Sequence, residues 1–392
     1  MKIAILTSGI LPVPAVKGGA VENHIDIYLK YNDEHKLHDI TVFSISDEDT
    51  KSHPALRSTV NHYVYIETNR FWDKFLKFFF KRRSQKLYYH YTIEYYFYKA
   101  WKLLRKNHYD IILLDNRPGY SLNIKCPKGT SLCYYLHNDI LNQQTNQAQL
   151  IYKAADKIIT VSDYISSCVR TINPHDKKCI RVHNGSDINL FYPNRPATID
   201  RNCLNLSNND FIIFFSGRVI PEKGVLELIK AVKQLKQFDN IKLLIVGSPF
   251  YGNAKNESNY IQELKHEAET MKEHIFITGY IPYLKLPEYL WISDIAVVPS
   301  LWEEPFGNTV VEAMAAGLPL ITTRSGGIPE ICEGVAKIID RGHIVDNLAS
   351  AILYLYKHPG KRKQMASAGL ERAKLFDKET YAKNFFKALG GI

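Results

Sequence analysis

Glu304 and Glu312, with seven residues between them, bracket a short turn, Pro305-Phe306-Gly307-Asn308-Thr309, that opens into a helix-like run ending at Gly317. A glycine at a helix start lets the backbone come close to a ligand. The N–H groups of the first turn, at the positive end of the helix dipole, then favour a phosphate. Glu304, just ahead of the turn, is placed to accept hydrogen bonds from sugar hydroxyls, and Glu312, about two turns into the helix, to take the two hydroxyls of a ribose. Without a ligand, the same stretch is an ordinary helix with acidic residues in its first turns. A second segment, Ser216-Gly217-Arg218 through Lys223-Gly224, also joins a strand to a helix. Arg218 can fork onto a phosphate and Lys223 supplies a mobile point charge, which suits a diphosphate leaving group. The order G-x-x-x-x-G-K-[ST] is absent, so this is no P-loop.

Three weaker signals accompany these two. Gly18 and Gly19 follow the first strand and precede a helix, which suits close approach to a phosphate and equally suits a plain turn. They do not form G-x-G-x-x-G, so a dinucleotide has little support. His137-Asn138-Asp139 follows an apolar run, and His137 there can bond a sugar hydroxyl or stabilise a developing cationic sugar. Arg70 to Tyr91 interleaves cations with aromatics, including Arg70, Trp72, Lys74, Lys77, Lys81, Arg82 and Arg83. Such a stretch fits the interface of an anionic membrane, or else is a basic surface helix whose aromatics are core. Nucleic acid is disfavoured, since no helix-turn-helix, zinc-finger or RNP-like motif accompanies the charge.

These loops need elements to hold them, and the chain alternates short apolar runs with helical stretches. Strands are expected at 2–7, 40–46, 111–114, 131–136 and 157–161, with a helix from 18 to 30. The pattern then restarts, with strands at 211–216, 242–246, 275–278, 295–299 and 319–322 and helices at 225–237, 260–271 and from 309. Strand–helix alternation of this kind specifies a parallel sheet wound on both faces. A polar seam, Asn194 to Asn209, separates the two series. The expected division is an N-terminal domain over 1–187, a C-terminal domain over 188–373, and a last helix within 374–392 packing back on the first. Ligands of such sheets sit at the carboxyl ends of the strands, so the two domains are expected to face each other across a cleft.

The totals agree with a protein of this size and class. The chain has 392 residues, 45% hydrophobic and 23% charged, which favours two domains. Its net charge of +10 suits anionic partners, whether nucleic acid, membrane or phosphorylated substrates. Cysteines 126, 133, 168, 179, 203 and 332 share no C-x-x-C spacing, which reads as reduced thiols in a cytosolic protein with no zinc site. The opening residues are too short an apolar run for a signal peptide, and no run approaches the ~20 apolar residues of a membrane span.

Taken together, Gly217-Arg218, Lys223-Gly224, the Glu304/Glu312 pair and His137 resemble glycosyltransferase family 4. So do Val161-Ser162, Asn184 to Asp187 continuing through Phe191 and Pro193, Thr278-Gly279-Tyr280-Ile281, and Gly326-Gly327-Ile328-Pro329-Glu330. The resemblance covers nearly the whole chain. Two small departures, Glu-Pro-Phe-Gly in the turn and Ser186 in place of a commoner hydrophobe, remove no contact. It implies an α/β GT-B fold of two Rossmann-like doubly wound domains, a retaining reaction, and no essential metal or other cofactor. It also implies roles. Gly18 and Gly19 approach the donor phosphates, and Arg218 and Lys223 hold the diphosphate. Tyr280 and Ile281 lie beside the base. Glu304 and the amides of Phe306 and Gly307 hold the donor sugar, those of Asn308 and Thr309 the distal phosphate, and Glu312 the ribose. The catalytic set is then His137, Arg218, Lys223 and Glu304.

The reaction so implied is transfer from a nucleotide-diphosphate sugar, UDP-glucose or UDP-N-acetylglucosamine first, to a hydroxyl of a lipid-linked or membrane-borne glycan. The setting is bacterial envelope polysaccharide synthesis, with the protein cytoplasmic and peripheral on the inner face of the membrane. Asn116 to Gly119, at a strand end, is a candidate acceptor contact. The rival readings are a sugar-nucleotide epimerase on a similar fold and a catalytically silent membrane-bound partner of another transferase. Oligomeric state is not legible.

Overall fold

The structure, a computed structural model, describes residues 1–193, 198–247 and 259–390, and all counts below refer to these. The chain forms two compact units. One comprises Met1–Gly185 with Lys378–Ile392, the other Ser186–Asp377. The first carries β1 (Lys2–Leu6), α1 (Ala20–His35), β2 (Asp39–Ile45), β3 (Asn61–Ile66), α2 (Phe71–Arg82), α3 (Tyr91–Leu104), β4 (Ile111–Asp115), β5 (Ser131–Leu136), α4 (Ala148–Ala154), β6 (Lys157–Thr160), α5 (Asp163–Arg170) and β7 (Cys179–Arg181). The second carries α6 (Ile188–Phe191), β8 (Phe211–Ser216), α7 (Val225–Lys233), β9 (Ile241–Val246), α8 (Asn259–Glu269), β10 (Ile275–Gly279), α9 (Leu286–Trp291), β11 (Ile295–Val298), α10 (Asn308–Ala315), β12 (Leu320–Thr323), α11 (Ile328–Cys332), β13 (Lys337–Ile339), α12 (Ile344–Lys357) and α13 (Pro359–Ala373). A final helix, α14 (Lys378–Leu389), belongs to the first unit.

Both sheets are parallel throughout. The first has strand order β3-β2-β1-β4-β5-β6-β7 and the second β10-β9-β8-β11-β12-β13. The central strands are uninterrupted apolar runs, such as Ile111 to Leu114 and Phe211 to Phe215, all buried. That is the signature of a sheet covered by helices on both faces. The order reverses at β1/β4 in one sheet and at β8/β11 in the other, so each unit has its crevice at the loops leaving those strands.

Three strands went unread in the sequence. β3, β7 and β13 each form a sheet edge, and β7 and β13 have only three residues. Edge strands are half solvated and carry polar residues, which removes the apolar run that marks a central strand. The run from Asn194 to Asn209 lies partly outside the described residues.

The chain passes between units at Gly185/Ser186 and at Asp377/Lys378, two residues before and four residues after the expected crossings. Backbone pairing sets these positions. Ser186 bridges Asp377 and its N–H donates to Phe376 O at 2.9 Å, tying both to the second unit. Gly185 lies against Tyr381 so closely that an added Cβ would sit 2.5 Å from the tyrosine Cβ. In α14, Phe385 stacks on Tyr28 of α1 with centroids 4.0 Å apart, and the Tyr381 and Tyr135 hydroxyls are 3.1 Å apart. Phe385 and Phe386 are fully buried. Phe385→Ala is expected to cost ~3–5 kcal/mol, as for other buried aromatics, and to lower the midpoint of the first unit's unfolding transition in urea monitored by near-UV circular dichroism. An unchanged midpoint would show that α14 contributes nothing to that core.

Candidate functional site

In the second unit, the loops leaving β8 and β11 flank the switch point, and they touch backbone to backbone. Gly224, at φ 69°, lies so near Pro299 that an added Cβ would sit 2.1 Å from its carbonyl oxygen. The Leu301 N–H donates to Glu222 O at 2.8 Å. At the end of β9, a Cβ on Gly247 would sit 2.0 Å from Gly217 O. Glycine is required at both contacts, because only a backbone without Cβ allows that approach.

This packing gathers Arg218, Tyr280, Ile281, Thr309 and Glu312 around one pocket of about 310 Å³, with Gly217, Gly247 and Tyr283 also on its wall. Arg218 is exposed and has no ion pair or side-chain hydrogen bond among the described residues. Tyr280 presents its ring to solvent at 76% exposure. Gly307, at φ 115°, caps α10, so Asn308 and Thr309 supply the first N–H groups of that helix. Phe306 turns its side chain into the core, edge-on to Phe376 at 5.8 Å, and so offers a ligand only its backbone.

Lys223 and Glu304 are not on the wall of this pocket; they form an ion pair with each other, and Ser300 Oγ donates to the same Glu304 oxygen at 2.7 Å. The Lys223 ammonium lies 5.7 Å from the Trp302 ring centroid. The Glu304 backbone is pinned as well. Gly327 N–H donates to its carbonyl at 2.8 Å, and a Cβ on Gly326 would sit 2.2 Å from that oxygen. Neighbouring Glu303 pairs with Arg341 and accepts from Gly326 N at 2.5 Å. Sequence reasoning missed Ser300, Trp302, Glu303, Arg341 and Tyr283, none of which carries a spacing signal of its own.

Glu312 is the fifth residue of α10, little more than one turn in rather than two. It is buried, and the Tyr283 hydroxyl donates to it at 3.0 Å. Burial disfavours its charged form and raises its pKa from 4.5 to about 7, against the lowering effect of the Tyr283 bond.

In the first unit, Gly18 and Gly19 both have positive φ and precede α1. Gly18 faces open space, whereas a Cβ on Gly19 would strike Glu22 and Leu11. His137, after β5, is buried, and its N–H donates to Asn116 Oδ1 at 3.2 Å. Its Nε2 lies 3.6 Å from Asp115 Oδ1, at the end of β4. Glu22, from α1, is buried beside them, and burial raises its pKa to about 7. Neither acid is marked in the sequence, because a lone acid beside a glycine turn or at a strand end carries no motif.

Arg70 N-caps α2, whose helix carries Trp72, Lys74, Lys77, Lys81 and Arg82, with Arg83 at its C-cap. Apart from Phe80, its aromatics are not core. Phe71, Trp72, Phe75, Leu76, Phe78 and Phe79 are all exposed, from 44% for Leu76 to 79% for Phe71. The helix is fastened through Asp73, which accepts from Tyr95 OH at 2.6 Å and Lys99 Nζ at 2.9 Å, and through Phe80, packed on Tyr95 and Tyr98. No described helix is long and apolar enough to cross a membrane.

Two all-parallel α/β sheets in succession are the GT-B arrangement. Residues 197–372, which span most of the C-terminal unit, match the family model described as glycosyl transferases group 1. Over longer stretches the chain is similar to two Bacillus subtilis proteins. Spore coat protein SA is 27% identical over 85% of this chain and 83% of that protein. The putative glycosyltransferase YtcC is 29% identical over 90% of this chain and 82% of that protein. Among solved structures, Anabaena HepE in complex with UDP shares the fold at a TM-score of 0.75 and 22% identity, covering 100% of both chains.

The state of Glu312 gives a stability prediction. Between pH 4.5 and 7 the unfolded carboxyl ionises while the folded one stays protonated, so stability falls as pH rises through that window and the loss levels off above it. A shift of this size corresponds to about 3 kcal/mol. Glu312→Gln is therefore expected to raise the unfolding midpoint at pH 8 and leave it unchanged near pH 4. Equal effects at both pH values would mean that the carboxyl is not held protonated by burial.

Proposed function

We propose that the protein is a retaining glycosyltransferase of family 4 whose C-terminal unit holds a nucleotide-diphosphate sugar, with UDP-glucose and UDP-N-acetylglucosamine the leading donors. One observation carries the reading. A single pocket brings together a guanidinium without a counter-ion (Arg218), a helix start (Thr309), an exposed aromatic ring (Tyr280) and a buried carboxyl group (Glu312). These match in kind the parts of such a ligand: diphosphate, base and ribose. Anabaena HepE, of the same fold, was solved with UDP and with UDP-glucose, which supports a UDP donor.

In this mechanism the acceptor oxygen attacks the anomeric carbon from the face that the diphosphate leaves. The carbon–oxygen bond to phosphate breaks as the new glycosidic bond forms, and the acceptor proton passes to the departing phosphate. Arg218 and the start of α10 stabilise the charge that develops there. Lys223 joins them by exchanging Glu304 for phosphate, which frees Glu304 to accept from the sugar. Gly18, Gly19 and His137 serve from the first unit, where His137 meets a sugar hydroxyl. No cofactor is assigned.

The acceptor is a membrane-borne or lipid-linked glycan, as in bacterial envelope polysaccharide synthesis, and the protein works at the inner face of the cell membrane. Support comes from α2. At ~100° per residue its exposed apolar side chains span an arc of ~160°, with Arg70, Lys74, Lys77 and Lys81 on the opposite side and Arg82 within the arc over the Phe78 ring, a pattern that suits a helix lying in a membrane interface.

Three measurements test these roles. In a thermal-shift panel, a UDP-sugar is expected to raise the midpoint as RT ln(1 + [L]/Kd), and a flat response to every sugar nucleotide would sink the reading. Arg218→Ala is expected to lower kcat by ~10²-fold or more with the unfolding midpoint unchanged, and undiminished turnover would remove Arg218 from the diphosphate. The wild type should co-sediment with phosphatidylglycerol vesicles and less with phosphatidylcholine. The Trp72→Ser/Phe75→Ser/Phe79→Ser variant should remain in the supernatant. Equal sedimentation of the two proteins would take α2 out of the membrane.

A further inference from the structure

Around the switch point of the first unit, four ionisable side chains from three elements meet out of water. Glu22 and His24 come from α1, Asp115 ends β4, and His137 follows β5. Asp115 is wholly buried, and neither of its carboxyl oxygens has a hydrogen-bond partner among the described residues. The same holds for His137 Nε2, which lies 3.6 Å from Asp115 Oδ1. A carboxylate and an imidazole nitrogen both removed from water are costly unless they serve each other. The gap exceeds a hydrogen bond by less than ~1 Å, so a small movement of either side chain, or one bridging water, closes it.

The rest of the His137 ring is already fixed. Tyr135 lies against it with centroids 4.1 Å apart, and His24 stacks on it at 6.1 Å with planes 17° apart. Its backbone N–H is held by Asn116. Burial lowers the His24 pKa to about 3, so that ring is neutral and does not compete for Asp115 as a cation. Glu22 feels both Asp115 and His137, but burial holds its proton up to about pH 7.

We propose that Asp115 is a positioning residue for His137. It accepts a hydrogen bond from Nε2–H, fixes that tautomer, and so leaves Nδ1 as the acceptor atom offered to a sugar hydroxyl. The role of His137 toward substrate rests on the glycosyltransferase reading, while the tautomer does not. Asp115→Asn removes the acceptor charge and can present an N–H instead, which favours the opposite tautomer. A tautomer-fixing carboxylate of this kind can be worth orders of magnitude in rate without touching substrate.

The test separates the two layers. Long-range 1H–15N correlation of the protein labelled at histidine, with the His137 signal assigned by its loss in His137→Gln, reads the tautomer at pH 8 with no substrate present. The wild type should show Nε2–H, and Asp115→Asn should lose or reverse it. A wild-type Nδ1–H tautomer, or one unchanged in Asp115→Asn, overturns the proposal. The wild-type spectrum decides the matter alone if the variant does not fold. UDP-glucose hydrolysis adds the functional readout. In Asp115→Asn, kcat should drop by ~10²-fold while UDP affinity by calorimetry stays within a factor of about three. Full hydrolytic activity in the variant overturns the positioning role. Absence of UDP binding in every protein, with the tautomer result intact, fells the glycosyltransferase reading instead and leaves the pair standing.

Discussion

A parallel sheet covered on both faces leaves almost nowhere for polar chemistry. Its strands are apolar on both sides, its faces lie under helices, and its backbone groups are spent on the ladder. What remains is the rim where strands end and loops turn into helices. In the second unit, this rim is built by backbone touching backbone. Gly224 rests on Pro299, Gly247 on Gly217, and Gly326 on Glu304. These contacts set how the Arg218 loop, the Glu304 loop and the start of α10 stand relative to one another. A side chain at any of the three would push two loops apart, so the glycines fix the spacing of the groups that form the pocket.

The central β-strands and the loops after them were legible because burial on two faces writes a continuous apolar run, and because glycine and charge interrupt it sharply. β8, the Gly217–Gly224 loop and α7 follow one another in sequence with little ambiguity. Pairings across the fold were not legible. Nothing at position 223 says that its ammonium rests against Glu304, 81 residues on, and nothing at 283 says that its hydroxyl meets Glu312. Asp115 was invisible for the opposite reason. Its four predecessors are apolar, and an acid at that point reads as a strand ending in a polar turn rather than as a carboxyl kept wholly from water.

The α2 segment separates two readings that composition alone leaves equal. A basic helix with core aromatics would bury Phe71, Trp72, Phe75 and Phe79, and these four are exposed. What the helix buries is Asp73, whose carboxyl takes hydrogen bonds from Tyr95, Lys99 and the Arg70 backbone N–H. The usual arrangement is thus inverted, with a polar clasp inward and an apolar surface outward. Exposed apolar area of this extent on one helix is unfavourable in water and marks a contact surface.

The two cations of the second unit are accommodated differently. Arg218 is exposed, so water solvates its charge and it needs no protein partner. Lys223 is drawn in beside the Trp302 ring, and a half-buried ammonium is costly without an anion, so Glu304 supplies one. That pairing holds both side chains at the rim, with Ser300 and the Gly327 amide fixing the acid from behind. Glu304 is thus held by contacts that do not depend on Lys223.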